Sequence, residues 1–292
     1  MFKNKIKLFE FAVSLAITIG FVYLFYKVIG FKQIINFLVE INPFNLLVAF
    51  LLYFLSYITR TLRWALTLEI KNFFKLFKIT VYNTIFNIFL PFRTGEISFF
   101  YMLKKENIKF SESITAFLSV RAFDGFALIL TFVFFYLFYL KHVILALLII
   151  LVAPIGIHML FKVLAKINIK KFKEFAAEKL SIKNILTLYV LSLLTLIFKF
   201  SGFYLVLPKS LSIEVSKFFL AAAAGDLTTV LPIHGIAGIG TYEGGFAGML
   251  ILFGVDTKLA VLSSVFVHIF LLLSSVILAV LVFLLSLFKY KN

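Results

Sequence analysis

This chain is built from apolar runs long enough to cross a bilayer, and that decides what it can fold into. Such runs occupy about 8–29, 43–68, 113–140, 143–161, 184–206 and 259–287. A helical span needs about 20 apolar residues. Hydrocarbon offers no partner to backbone N–H and C=O groups, so these runs are read as helices. Two more apolar segments, about 79–90 and 216–231, are too short to span. Each runs into a Pro/Gly break and then a second short apolar stretch, about 97–103 and 243–254. The first break reads Leu90-Pro91-Phe92-Arg93-Thr94-Gly95-Glu96. The second reads Leu231-Pro232-Ile233-His234-Gly235 and continues through Gly238-Ile239-Gly240-Thr241-Tyr242-Glu243-Gly244-Gly245. Irregular backbone and a carboxylate at membrane depth are costly unless they line a protein-walled or watery cavity. Each broken segment is therefore expected to be a re-entrant helical hairpin. A matched pair of breaks, one in each half of a chain, points to a transporter's binding site.

Composition excludes a soluble domain. Of 292 residues, 63% are hydrophobic and 14% charged, against about 25% charged in soluble domains. The 40 Phe residues are read as lipid-facing bulk. The absence of Cys excludes disulfides and thiolate metal sites. The N-terminal MFKNKIKLFE does not read as a cleavable signal, because its apolar run is too long and no small-residue cleavage site follows.

The net charge of +16 is unevenly spread. Lys162, Lys166, Lys170, Lys171, Lys173, Lys179 and Lys183 crowd one connection between spans. This is topology signalling rather than a nucleic-acid patch, since no aromatic-basic interleave accompanies it. Lys3, Lys5 and Lys7 place the N-terminus in the cytoplasm. The lysine-rich connection reaches the same side only if 79–103 enters and leaves from one face. The expected fold is thus an all-α polytopic membrane protein with about six full spans plus two re-entrant helical hairpins inserted from opposite faces. Residues 1–292 form a single integral membrane domain in this reading, with both termini cytoplasmic. An inverted repeat would relate about 43–140 to 184–287. Glu96 to Arg121 and Glu243 to His268 share a spacing of 25 residues.

The charged residues within apolar segments are the candidates for chemistry. All four arginines, Arg60, Arg63, Arg93 and Arg121, lie in the first half. A guanidinium matches phosphate bidentately and stays charged when partly buried. Arg60 and Arg63 share a helix face beside Trp64. They are read either as a phosphate site or as anchors at the end of a span, with Trp64 in the interfacial belt. Arg93 lies inside the first break, where no anchor is needed. Arg121 and Asp124 are spaced to pair on one helix face, either as a structural ion pair or facing an anionic head group. Glu96 and Glu243 each open the returning arm of a hairpin. They cap helices there, or bind a proton or cation and gate the site. Asp226 lies on the entering arm, beyond the small residues Ala221 to Gly225, which suit close helix packing. Seven of the fourteen glycines fall between Gly235 and Gly254. The string holding Gly238 and Gly240 matches no nucleotide-binding fingerprint. Its glycines allow positive φ and bare backbone N–H groups that could hold an anion. His234 and His268 are titratable near neutral pH as a residue type, but as a metal pair they are unconvincing.

Four strings carry a resemblance: LSYITRTLRW (55–64), NIFLPFRTGEISFFYML (87–103), SVRAFDGFAL (119–128) and LPIHGIAGIGTYEGGFAGMLILFGV (231–255). In these the chain resembles the lysylphosphatidylglycerol synthase transmembrane region family, described as flippase-like integral membrane proteins. The resemblance implies a helical lipid-translocating domain. It marks Arg60, Arg63, Trp64, Pro91, Arg93, Gly95, Glu96, Arg121, Asp124, Pro232, Gly238, Gly240, Glu243 and Gly244. Unlike the two-part synthases, the sequence ends at KYKN with no soluble aminoacyl-transferase domain, so lysyl transfer from charged tRNA is not implied. His234 and Ile236 stand where many members carry a shorter Pro/Gly run.

The functional expectation is a lipid flippase that moves an anionic, phosphate-bearing head group through a cavity between the two hairpins. Arg60, Arg63, Arg93, Arg121, Gly238 and Gly240 would bind substrate, and Glu96, Asp124, Asp226 and Glu243 would couple or gate. The alternative is an integral membrane enzyme, a transferase acting on a lipid phosphate, although no catalytic motif is recognisable. Expected partners are a membrane lipid and the bilayer, with no nucleic acid. Self-association is left open. No cofactor and no metal is expected, and the location is the cell membrane.

Overall fold

The computed structural model describes residues 2–30, 32, 35, 39–68, 70–90, 95–164, 181–211, 213–229 and 234–289. It is predominantly helical in these residues, with no strand among them. Ten α-helices follow in order: α1 (Phe2–Val28), α2 (Pro43–Thr67), α3 (Phe73–Phe89), α4 (Gly95–Lys105), α5 (Phe110–Tyr139), α6 (Val143–Leu164), α7 (Ile182–Leu205), α8 (Val215–Thr228), α9 (Thr241–Leu252) and α10 (Thr257–Lys289). Short 3-10 turns occupy Lys209–Leu211 and Ile236–Gly238.

Among the described residues five helices are long and apolar enough to cross a membrane: Pro43–Thr67, Phe110–Tyr139, Val143–Val163, Ile182–Leu205 and Thr257–Leu287. The first expected span falls on α1, of which Ala12–Lys27 is an apolar helical stretch of shorter length. The protein is therefore an all-α, multi-pass membrane protein. The two short segments on either side of each break are also helical. At 17 and 11 residues α3 and α4 are sub-membrane in length, as are α8 and α9 at 14 and 12.

The chain divides into two compact units. Unit 1 comprises Met1–Tyr53, Val81–Glu96 and Phe200–Asn292, and unit 2 comprises Phe54–Thr80 and Ile97–Lys199. In unit 1, α8 packs along α9 and α9 along α10. Small residues make the first contact possible. Ala221, Ala222, Ala223 and Gly225 are buried. A Cβ on Gly245 would overlap the Thr228 methyl and stand 2.9 Å from the Ala224 carbonyl oxygen. The aromatic layer includes Phe218 against Phe246 at 5.4 Å between ring centroids. Tyr53 of α2 hydrogen-bonds Ser275 of α10 at 2.8 Å. The chain reversal after α3 is also tight: a Cβ on Gly95 would overlap the α3 backbone at Phe86 and Asn87.

Unit 2 has an aromatic core. The Trp64 ring packs at a tilt on Phe99, with centroids 4.5 Å apart, and Phe99 lies 5.7 Å from Phe117. Trp64 is only 3% exposed, so it is a core residue here rather than a member of an interfacial belt. Phe123 stacks on Phe161 of α6 at 5.5 Å, and the Tyr189 hydroxyl of α7 donates to the Ile150 carbonyl at 2.6 Å. On the edge of the unit, Lys75 pairs with Glu106 at 2.9 Å.

Candidate functional site

Each unit contains one cluster of ionisable side chains within apolar helices. In unit 2 the cluster centres on Asp124 of α5. Arg63 Nη1 of α2 donates to Asp124 Oδ1 and, at 2.9 Å, to Ser192 Oγ of α7. Arg121 Nη1 donates to Asp124 Oδ2 at 3.3 Å. Arg60, one helical turn before Arg63, lies over the Tyr57 ring at 5.2 Å and acts electrostatically on both Arg63 and Asp124. Arg121 in turn lies over Phe117 at 5.0 Å.

The sequence places these groups by helical spacing. Arg60 and Arg63, and likewise Arg121 and Asp124, are three apart and so share a face. Folding adds what spacing cannot: it brings α2 and α7 to the Asp124 carboxylate. The Arg63 side chain is 1% exposed, whereas Asp124 and Arg121 are each 34% exposed. A buried guanidinium is costly unless paired, and removing one partner of such a pair costs about 3–5 kcal/mol. Arg63 is thus fixed in the interior and is no end-of-span anchor. Its Nε has no hydrogen-bond partner among the described residues. Two guanidiniums donate to one carboxylate and a third acts on it electrostatically, and the cluster has one accessible side, at Arg121 and Asp124.

In unit 1 the cluster centres on Glu243, in the first turn of α9. Its Oε2 accepts from the Gly240 backbone N–H at 2.7 Å, closing the cap of the helix. Its Oε1 lies 2.6 Å from Nδ1 of His268 on α10. The other ring nitrogen, Nε2, lies 3.1 Å from the Ala237 carbonyl oxygen. Both side chains of the pair are 4% exposed. The Tyr242 ring packs on the imidazole at 4.7 Å. Beside the pair is a cavity of about 210 Å³, walled by Phe21 and Phe25 of α1 and by Val265, Ile269 and Leu272 of α10.

The loop that supplies Gly240 and Ala237 is held in an unusual backbone. Gly238 and Gly240 have φ of 81° and 89°, and Ala237 has φ of 54°. A residue with a Cβ loses about 1–2 kcal/mol in that left-handed region. Three contacts keep it there: the Glu243 cap, the His268 ring and a 2.8 Å bond from the Ile236 N–H to Thr18 Oγ1 of α1. The N–H groups of Gly238 and Gly240 are already donated, to the Gly235 carbonyl and to Glu243. The anion that the glycine loop holds here is the protein's own carboxylate.

Of the remaining candidates, Asp226 of α8 lies in unit 1, where it and Glu243 both act electrostatically on Tyr242. Glu96 opens α4 as expected for an acidic residue in a first turn. Arg93, Pro91 and Pro232 lie outside the described residues. Sequence reasoning did not name Ser192 as a partner of Arg63 or His268 as the partner of Glu243. The shared spacing of 25 residues was the one signal for the second. Among the described residues no group of three or more His, Cys, Asp or Glu side chains is placed to hold a metal ion.

No curated protein and no solved structure matches the chain. The model of one family, described as the lysylphosphatidylglycerol synthase TM region, matches residues 11–279 and so takes in every candidate residue above. The chain belongs to the lysylphosphatidylglycerol synthase transmembrane region family, a family of membrane proteins that act on lipids.

Proposed function

We propose that this protein carries a lipid with an anionic, phosphate-bearing head group between the leaflets of the bilayer. The observation that supports this reading is the gathering of Arg60, Arg63 and Arg121 about Asp124 within apolar helices. Guanidiniums held in such surroundings are suited to an anion, and phosphate oxygens match their planar fork. The accessible third of Arg121 and Asp124 gives a second anion a way to approach. Arg93 would add a further cation from the first break.

On this reading the short pairs α3–α4 and α8–α9 are re-entrant arms inserted from opposite faces, and 43–140 and 184–287 are inverted repeats. Glu96, Asp124, Asp226 and Glu243 couple or gate. The lysine bias puts both termini on the cytoplasmic side of the cell membrane. The protein moves its lipid without chemical change, driven by a gradient, a partner or the lipid's own distribution, since the sequence holds no nucleotide-binding motif.

Reconstitution into liposomes tests the proposal. Fluorescent anionic and zwitterionic phospholipids, and a polyprenyl-phosphate lipid, are scored by an outer-leaflet quench. The expected result is transport of an anionic class, reduced at least several-fold by Arg60→Gln and by Arg93→Ala in folded protein. Undiminished transport in both variants would overturn the head-group assignment. Chemical turnover of a lipid phosphate by the same preparation would favour the membrane-enzyme alternative.

A further inference from the structure

The Glu243–His268 pair is described by more acceptors than a neutral imidazole can serve. Nδ1 faces a carboxylate oxygen at 2.6 Å and Nε2 faces a carbonyl oxygen at 3.1 Å. A neutral ring carries one N–H. With an ionised Glu243, it would leave one nitrogen lone pair pointing at an oxygen lone pair. Two arrangements satisfy both contacts. An imidazolium donates to Glu243 Oε1 and to the Ala237 carbonyl. Alternatively, a protonated Glu243 donates to Nδ1 while Nε2–H donates to Ala237. Each holds one proton more than the neutral ring and the free carboxylate together.

We infer that Glu243 and His268 form a proton-binding site, and that its proton latches the 236–240 loop onto α10. The surroundings favour occupancy. The pair is 4% exposed, so bulk solvent does little to screen either hydrogen bond. The flanking cavity is lined by Phe21, Phe25, Val265 and Ile269, which solvate neither a lone carboxylate nor an unpaired ring nitrogen. Titratable groups on the neighbouring elements are Asp226 of α8, Tyr53 of α2 and Tyr242 of α9, the last packed at a tilt against the ring. His234 belongs to the same loop, where its Nδ1 lies 2.9 Å from the Gly235 carbonyl oxygen. From α1 come Thr18 and the apolar Phe21, Val22 and Phe25.

Loss of the proton turns one of the two ring contacts from attractive to repulsive. If the Nε2 contact goes, Ala237 loses the bond that holds its carbonyl, and its left-handed backbone at φ 54° is free to relax. If the Nδ1 contact goes, Glu243 swings from the ring and the cap at Gly240 loosens. Either way the loop is the element that answers. For a lipid carrier this would make the proton the coupling ion, a consequence that rests on the transport reading; the proton site itself does not.

The test is made on the full-length protein in nanodiscs, from about pH 5 to about pH 8, where imidazoles change charge. Nitrogen-15 spectra of labelled histidine report the ring, with His268 assigned by His268→Gln. Infrared difference spectra report the Glu243 carboxyl, assigned by Glu243→Gln. Amide hydrogen exchange, corrected for its intrinsic pH dependence, reports the loop. The expected result is loss of one proton from the pair as pH rises, with loop protection falling together with it. His234→Gln should leave both unchanged. Glu243→Gln mimics the protonated carboxyl, and its loop should stay protected at every pH. No change of protonation in either group across the range would overturn the inference, as would a titration that leaves loop exchange unaltered. Lipid transport is measured separately on the same preparation. Absent transport with an intact titration would fault the transport proposal alone.

Discussion

The two ionisable clusters solve one problem in opposite ways. In unit 2, Arg63 and Asp124 are charged groups that neutralise each other, and a second and third guanidinium add permanent positive charge. Arginine does not give up its proton in proteins, so the guanidiniums there keep their charge at any physiological pH. In unit 1, a carboxylate is matched by a histidine, the one side chain whose ordinary titration falls in the physiological range. The same spacing of 25 residues that ends on Arg121 in the first half ends on His268 in the second. The lesson is that a fixed charge suits holding an anion, whereas a removable one suits timing.

The largest expected effect falls on the fixed cluster. Arg63→Ala leaves Asp124 without its buried partner and Ser192 without its donor. It should cost about 3–5 kcal/mol, read as a large drop in melting temperature in detergent. If Glu243→Gln cost as much, the contrast between the clusters would fail.

Next comes the seam between α8 and α9. Gly245→Ala sets a methyl against Thr228 and Ala224 and should cost about 1–3 kcal/mol by the same measurement. A neutral result would mean that the two arms part easily. Tyr53→Phe removes a buried hydrogen bond to Ser275 and should cost about 1 kcal/mol. The smallest effect on stability belongs to Glu243→Gln, at under about 1 kcal/mol, because the amide oxygen still accepts from Gly240 and the amide N–H still donates to the ring. Its effect should appear in function, as lipid transport that no longer varies with pH in liposomes. A pH profile identical to that of the unchanged protein would erase the distinction between fixed and removable charge.

Much of this architecture was legible in the residue order. Apolar run length located the spans, since hydrocarbon leaves helices as the available form. The Pro/Gly breaks located the helix ends: α4 begins at Gly95 and α9 at Thr241, within two residues of the expected arms. The Arg121–Asp124 contact followed from helical spacing. Contacts between separate helices did not. Arg63 reaching Asp124 across 61 positions, or His268 meeting Glu243, depends on how helices pack, and periodicity within one helix carries no such information. Trp64 shows the same limit. Its neighbours in sequence suggested a membrane interface, and its neighbours in space are Phe99 and Phe117.

The glycine at 245 has one more consequence. With no side chain at that position, α8 and α9 meet flank to flank there, and a wedge as small as a methyl has no room to enter. Such a pair behaves as one stiff prong. A signal that begins at its tip cannot be absorbed by the prong bowing open along its length. It is spent on reshaping the tip, or it tilts both arms together as a lever.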